Sequence, residues 1–132
     1  METKLLLASD GSDHALRATA EAVKLAKLNR SEVVILYVLN SDRDMDDSGK
    51  VNPDVENQLT ATKQVLQKSD VAHSVEFLHG EPGSAIAKYA NSHECGYLVV
   101  GSRGLNAMQE MVLGSVSYKL MKSVECPVLI VK

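Results

Sequence analysis

The residues best placed to do chemistry are three glycines and the hydroxyl side chains beside them. The apolar run Leu98-Val99-Val100 ends at Gly101, Gly104 follows, and nine residues later comes Gly114-Ser115-Val116-Ser117. Two glycines after a strand make a turn. A third, opening a helical segment, lets a ligand approach backbone N–H groups. A helix N-terminus behind such a turn carries unpaired donors and the positive end of the helix dipole, a combination suited to phosphate. The chemistry on offer is therefore anion binding through backbone donors.

Other nucleotide loops are excluded by their own requirements. A Walker A loop ends in Gly-Lys-Ser/Thr, and the only Gly-Lys here is Gly49-Lys50-Val51. The dinucleotide pattern G-x-G-x-x-G is absent. The histidines His14, His73, His79 and His93 are scattered without ligand spacing, and no Ser-His-Asp or Cys-His set suggests nucleophilic catalysis. No catalytic residue is assigned.

The elements that must position the glycines follow from the pattern of apolar residues. Lys4-Leu5-Leu6-Leu7-Ala8-Ser9 and Glu32–Leu39 are continuous apolar runs, as expected of strands covered on both faces. Between them, Ser12 is a candidate N-cap for a helix to about Asn29, with Ala15, Ala18, Ala22 and Ala26 forming a small-residue face that can lie close on a sheet. Asn52-Pro53 opens the next helix, with Val55, Leu59, Thr62 and Leu66 as its buried stripe. Ser74–Leu78 alternates, which suits a strand nearer an edge. Gly80-Glu81-Pro82-Gly83 turns into a helix through Ile86, Tyr89 and Ala90, Tyr97–Val100 is the fourth strand, Ser115–Ser123 a helix, and Val128–Val131 the last strand. Asn40–Asn52, with Asp42, Asp44, Asp46 and Asp47, reads as a solvated, mobile loop, since no glycine and closing Glu sit where a calcium loop needs them.

Strands alternating with helices imply an α/β protein with a parallel sheet and helices on both faces. Ligands in such sheets bind at the carboxyl ends of the strands where strand order reverses. If strands one and four are neighbours, Asp10 faces the glycine loop across one crevice. Asp10 has a second reading, as an Asx turn at the helix start, and the two are compatible.

With 132 residues the expectation is a single domain spanning 1–132. Net charge is −3, with one Phe and no Trp, so neither a basic stripe nor a stacking platform for nucleic acid is present. No apolar run approaches the ~20 residues of a membrane span, and the N-terminal run is too short for a signal peptide, so a cytoplasmic protein is expected. Cys95 and Cys126 each precede a strand, four and five, which brings them near one end of the sheet. The two readings are a redox pair and two thiols that stay reduced in the cytoplasm, the latter being the expectation; a bridge is ruled out if the Cα atoms are more than ~7 Å apart.

The pattern Gly-x2-Gly-x9-Gly-Ser resembles the ATP-binding branch of the universal stress protein family. The resemblance extends to Asp10-Gly11-Ser12 with Ala15, to Gly80-Glu81-Pro82, and to Cys126-Pro127-Val128-Leu129-Ile130-Val131, and so covers nearly the whole chain outside Asn40–Asn52. It implies a Rossmann-like five-stranded sheet of order 3-2-1-4-5. It further implies ATP with Mg²⁺ or Mn²⁺ bridging the phosphates, held by Ala8, Ser9 and Asp10 on the ribose or adenine side. By the same resemblance, the backbone of Val38 meets the adenine, and Gly101, Ser102 and Gly104 approach ribose and phosphates. Gly114, Ser115, Val116 and Ser117 supply N–H and hydroxyl donors to the outer phosphates. Arg103 either pairs with phosphate or points to water. No protein group ligates the metal directly.

The implied function is a homodimeric stress-response or signalling protein, with ATP hydrolysis slow or absent because no water-activating base is visible. The alternatives are an interaction module of the same fold without nucleotide, and an ATP-using phosphotransferase. The dimer would pair Val128–Val131 antiparallel with a second copy, since an uncharged edge strand is otherwise an aggregation hazard. Two departures from the family pattern stand out. Gln109 and Glu110 occupy a region where many members carry Lys or Arg, which implies weaker ATP binding that Glu110→Lys would tighten. Gly96 stands where Asp is common, at the end of strand four away from the nucleotide.

Overall fold

The structure, a computed structural model, describes residues 3–10, 13–40, 44–102 and 114–132. Strands β1 (Lys4–Ala8), β2 (Glu32–Leu39), β3 (His73–His79), β4 (Tyr97–Gly101) and β5 (Val128–Val131) alternate with helices α1 (Asp13–Asn29), α2 (Pro53–Lys68), α3 (Pro82–Ser92) and α4 (Ser115–Ser123). All pairings are parallel, in the order β3-β2-β1-β4-β5. Strands one and four are thus neighbours, and the strand order reverses between them. The expectations at Gly11, Ser12, Arg103, Gly104, Gln109 and Glu110 lie outside the described residues.

The two faces of the sheet separate by the period of the strand. Leu5, Leu7, Val33, Ile35 and Val99 pack with the α1 alanines and with Val55, Leu59 and Leu66 of α2. Leu6, Ala8, Val34, Leu36, Leu98 and Val100 face the other way, onto Ile86, Ala87 and Ala90 of α3 and Leu120 of α4. Burying both faces is why β1, β2 and β4 read as unbroken apolar runs. The alanine face of α1 is buried at Ala15, Ala18, Ala22 and Ala26, and small side chains there allow close helix–sheet contact. The four-residue stripe expected of α2 is buried in full. Strand β3 is an edge, as its alternation suggested.

Two expectations are refined or revised. Residues 46–51 are exposed, as the solvated reading expects, and the stretch 44–52 is closed by a hydrogen-bonded turn. Met45 and Val51 make an antiparallel bridge. The Asp46 carboxylate accepts from Ser48 N–H at 2.9 Å, Ser48 Oγ at 2.6 Å and Lys50 N–H at 2.8 Å, and Gly49 takes φ +83° to close the turn. Hydrogen bonding, first from the Ser48 side chain and then from the Lys50 N–H, holds the Asp46 carboxyl below its ordinary range. Asp44 is buried and accepts from the Asn40 N–H at 2.8 Å. These aspartates, spaced like calcium ligands, serve as turn acceptors instead.

The second revision concerns the cysteines. Cys95 and Cys126 are joined as a disulfide, with Cα atoms 6.2 Å apart. The expected reduced thiols meet because the register of β4 on β5 sets Leu98 opposite Val128, which brings the residues just upstream of both strands together.

Candidate functional site

The site is built at the carboxyl ends of β1, β2 and β4. Ala8 pairs with Leu36 and Leu7 with Val99. Carried forward, those registers put Asp10 level with Val38 on one side and with Ser102 on the other. Ser9 is held in line because its N–H donates to Leu36 O at 3.0 Å. Ala8, Ser9, Gly101 and Ser102 are buried at the strand ends, while Asp10 and Val38 are half-buried. Three strand ends therefore converge at the switch point, with backbone and short side chains at its floor.

Helix α4 begins at the same end of the sheet. Gly114 is its N-cap, with φ −70° and ψ 162°, and no side chain caps it. The Gly114 N–H donates to Ser102 O at 2.7 Å, and the Ser102 N–H donates to Val131 O at 2.7 Å. The start of the helix is thereby tied to β4, and β4 to the end of β5. The first backbone donor with a partner inside the turn is Tyr118 N–H, to Gly114 O at 3.0 Å. Among the described residues no acceptor meets the N–H groups of Ser115, Val116 and Ser117. Three open donors on one turn, reinforced by the helix dipole, form an electropositive terminus beside the switch point.

Ser117 behaves differently from its expected role. Its hydroxyl is buried and donates to Gly101 O at 2.6 Å. It fastens the helix to the strand end, leaving its N–H, not its hydroxyl proton, for a ligand. Ser115 is exposed and Val116 half-buried. Ser117 could have been recognised by its spacing: it stands three residues before the buried Leu120, on the inward stripe of α4.

A cross-helix network supports α4 from the other side. Glu81 caps α3, accepting from Gly83 N–H at 3.0 Å and Ser84 N–H at 2.7 Å. Lys119 of α4 donates to Ser84 Oγ at 2.6 Å and to Glu81 Oε2 at 3.3 Å. Hydrogen bonding from the Ser84 side chain, then from the Ser84 and Gly83 N–H groups and Lys119, pushes the Glu81 carboxyl down to about 2. The turn at Gly80–Gly83 read from the sequence carries this cap, which its composition did not reveal.

Among the described residues no three His, Cys, Asp or Glu side chains lie close enough to hold a metal ion. Among the described residues no helix is long and apolar enough to cross a membrane.

A doubly wound parallel sheet with a helix N-terminus opening at its switch point defines an α/β protein of the nucleotide-binding architecture. The model of the universal stress protein family matches residues 1–132, and the chain belongs to that family. It is 32% identical over 148 aligned positions to the universal stress protein YxiE of Bacillus subtilis (strain 168), covering 100% of each chain. Among solved structures it resembles the universal stress protein UspA from Lactobacillus plantarum, with 26% identity, a TM-score of 0.76, and coverage of 98% of this chain and 97% of that one. A third likeness is to the universal stress protein from Archaeoglobus fulgidus in complex with dAMP. That match has 20% identity, a TM-score of 0.75, and coverage of 100% of this chain and 98% of that one. At that identity the likeness speaks for the fold.

Proposed function

We propose that the chain binds an adenine nucleotide, ATP with Mg²⁺ or Mn²⁺, at the switch point between β1 and β4, as a member of the family's ATP-binding branch. The observation that carries the proposal is the uncapped first turn of α4, with open N–H groups at Ser115, Val116 and Ser117 beside the converging strand ends. The dAMP complex of the Archaeoglobus fulgidus relative supports an adenine nucleotide as the ligand class. In this reading Asp10 takes the ribose or adenine side with Ala8 and Ser9, and the backbone of Val38 lines the adenine. Gly101 and Ser102, with Arg103 and Gly104 beyond the described residues, approach ribose and phosphate. Residues 114–117 cradle the outer phosphates. The metal is carried by phosphate oxygens. No residue is assigned to hydrolysis, so turnover is slow or absent. The protein works as a single-domain, cytoplasmic homodimer in stress response or signalling, paired through Val128–Val131. Leu129 on that edge strand is 39% exposed, which supports a partner there.

Calorimetry with Mg-ATP tests the site through Ser115→Pro. Proline is favoured at the first helical position, and the extended Gly114 before it satisfies the restriction that proline imposes. The variant loses one N–H donor while keeping the helix. Affinity should fall by roughly 10- to 100-fold, the worth of one charge-assisted hydrogen bond. Ser115→Ala keeps the N–H and loses only the hydroxyl donor, so its affinity should fall less than that of Ser115→Pro. Equal affinity of Ser115→Pro and the parent overturns the cradle. Failure of the parent itself to bind any adenine nucleotide favours the interaction-module alternative. A monomer by light scattering at micromolar concentration overturns the dimer.

A further inference from the structure

The disulfide lies at the opposite end of the sheet from the switch point. Cys95 and Cys126 stand two residues before the first residue of β4 and of β5, roughly 20 Å from Ser102 at 3.3 Å per residue. Their Cα separation of 6.2 Å is inside the roughly 4.4–6.8 Å window of bridged cysteines. What sets the pair apart is that each cysteine is positioned by contacts that do not need the bond. After Cys95, the Gly96 N–H donates to Lys4 O at 2.8 Å, and the Leu98 N–H donates to Pro127 O at 2.9 Å. Before Cys126, Asn91 at the end of α3 clamps the chain twice: its Nδ2 donates to Ser123 O at 3.0 Å, and its Oδ1 accepts from Glu125 N–H at 2.9 Å. Both cysteines are half-buried, so an exchanging thiol can reach them. A backbone fixed by other bonds keeps two reduced thiols within bonding reach, which makes closing the bridge intramolecular and fast.

We propose that Cys95 and Cys126 are a reversible dithiol–disulfide site that exchanges with a small-molecule thiol/disulfide couple of the glutathione class. One cysteine thiolate attacks the small disulfide, forming a mixed disulfide and releasing one small thiolate. The second cysteine thiolate attacks the protein sulfur of that mixed disulfide and expels the other. The protein loses two electrons and two protons, and the small disulfide gains them as two thiols. The bond spans a sequence separation of 31 and encloses the whole β4–α4 half of the switch point, Gly101 to Ser117 included. Oxidation therefore restrains the unfolding of that segment without touching the crevice. The proposal is independent of nucleotide binding.

The test uses the full chain, first reduced and then equilibrated in glutathione buffers of varied ratio, quenched by alkylation and weighed intact. Excess glutathione disulfide should remove both alkylatable thiols with no glutathione retained, and excess reduced glutathione should restore both. The oxidised form should melt on the order of 10–15 °C higher, from closing a loop of this length. Cys95→Ser and Cys126→Ser should each trap a glutathione adduct on the remaining cysteine. Thiols that stay alkylatable in excess disulfide overturn the proposal. So does an accumulating adduct on the parent chain, or a bridge that excess reduced glutathione does not open. The parent-chain masses decide the matter even if a variant fails to fold.

Discussion

Replacing Ser117 by alanine isolates the bond that fastens α4 to β4. The hydroxyl donates to Gly101 O at 2.6 Å, and the residue is 3% exposed. Losing a buried hydrogen bond and leaving its acceptor short of a partner costs about 2 kcal/mol. Alanine returns about 0.5 kcal/mol through its higher helix propensity. The net loss is about 1.5 kcal/mol. With a urea m-value of about 1.5 kcal/mol/M, the midpoint Cm falls by about 1 M while the slope stays constant. Ser115→Ala is the matched control, because it makes the same exchange on an exposed residue of the same turn. Its change should stay within about 0.5 kcal/mol. Equilibrium urea unfolding followed by circular dichroism measures both. If the two variants have the same Cm, the Ser117–Gly101 bond does not hold the helix, and the account of how α4 is positioned fails. A changed slope would instead signal an altered denatured state.

Two further outcomes follow from single side chains. Thr62 is 1% exposed and, among the described residues, its Oγ1 has no hydrogen-bond partner, so Thr62→Val should raise stability by about 1 kcal/mol in the same assay. A loss of stability would mean that the hydroxyl is satisfied in solution. Glu81→Ala removes the cap of α3 and should cost about 1 kcal/mol at neutral pH. The folded Glu81 carboxyl is pushed down to about 2 from an ordinary 4.5, so its contribution is complete above 4.5 and is lost as pH falls toward about 2. The gap between parent and variant should close over that window, and a gap that stays constant down to the lower limit would refute the cap's charge dependence.

The parts of the fold legible in the sequence were those governed by local period. The alanine stripe of α1 and the Val55–Leu66 stripe of α2 were both readable because a helix repeats its face every three or four residues, and both are buried as read. The alternation of β3 marked an edge because only one face of an edge strand is fully covered. The order of the strands came from the family resemblance; the periodicity implied only parallel strands with crossovers.

The glycine stretch itself divides in the same way. Its residues alone announced a turn and a helix start, since Gly101 ends an apolar run and Gly114 precedes a helical one. Composition did not disclose that Ser117 turns inward to Gly101, or that Glu81 and Lys119 join two helices. Nor did it disclose that Asp44 and Asp46 close a turn. Each depends on hydrogen bonds whose partners are chosen by tertiary placement, and spacing gives at most the inward face, as at Ser117, not the partner atom. The cysteines show the limit plainly. Their positions before two strands were visible in the sequence, and the environment argued for free thiols. The register of β4 on β5 then brought their Cα atoms to 6.2 Å. The sequence by itself determined which segments are strands and helices and which faces they bury, because burial follows local period. The tertiary structure decided which polar atoms meet, because those distances are fixed only once the sheet is assembled.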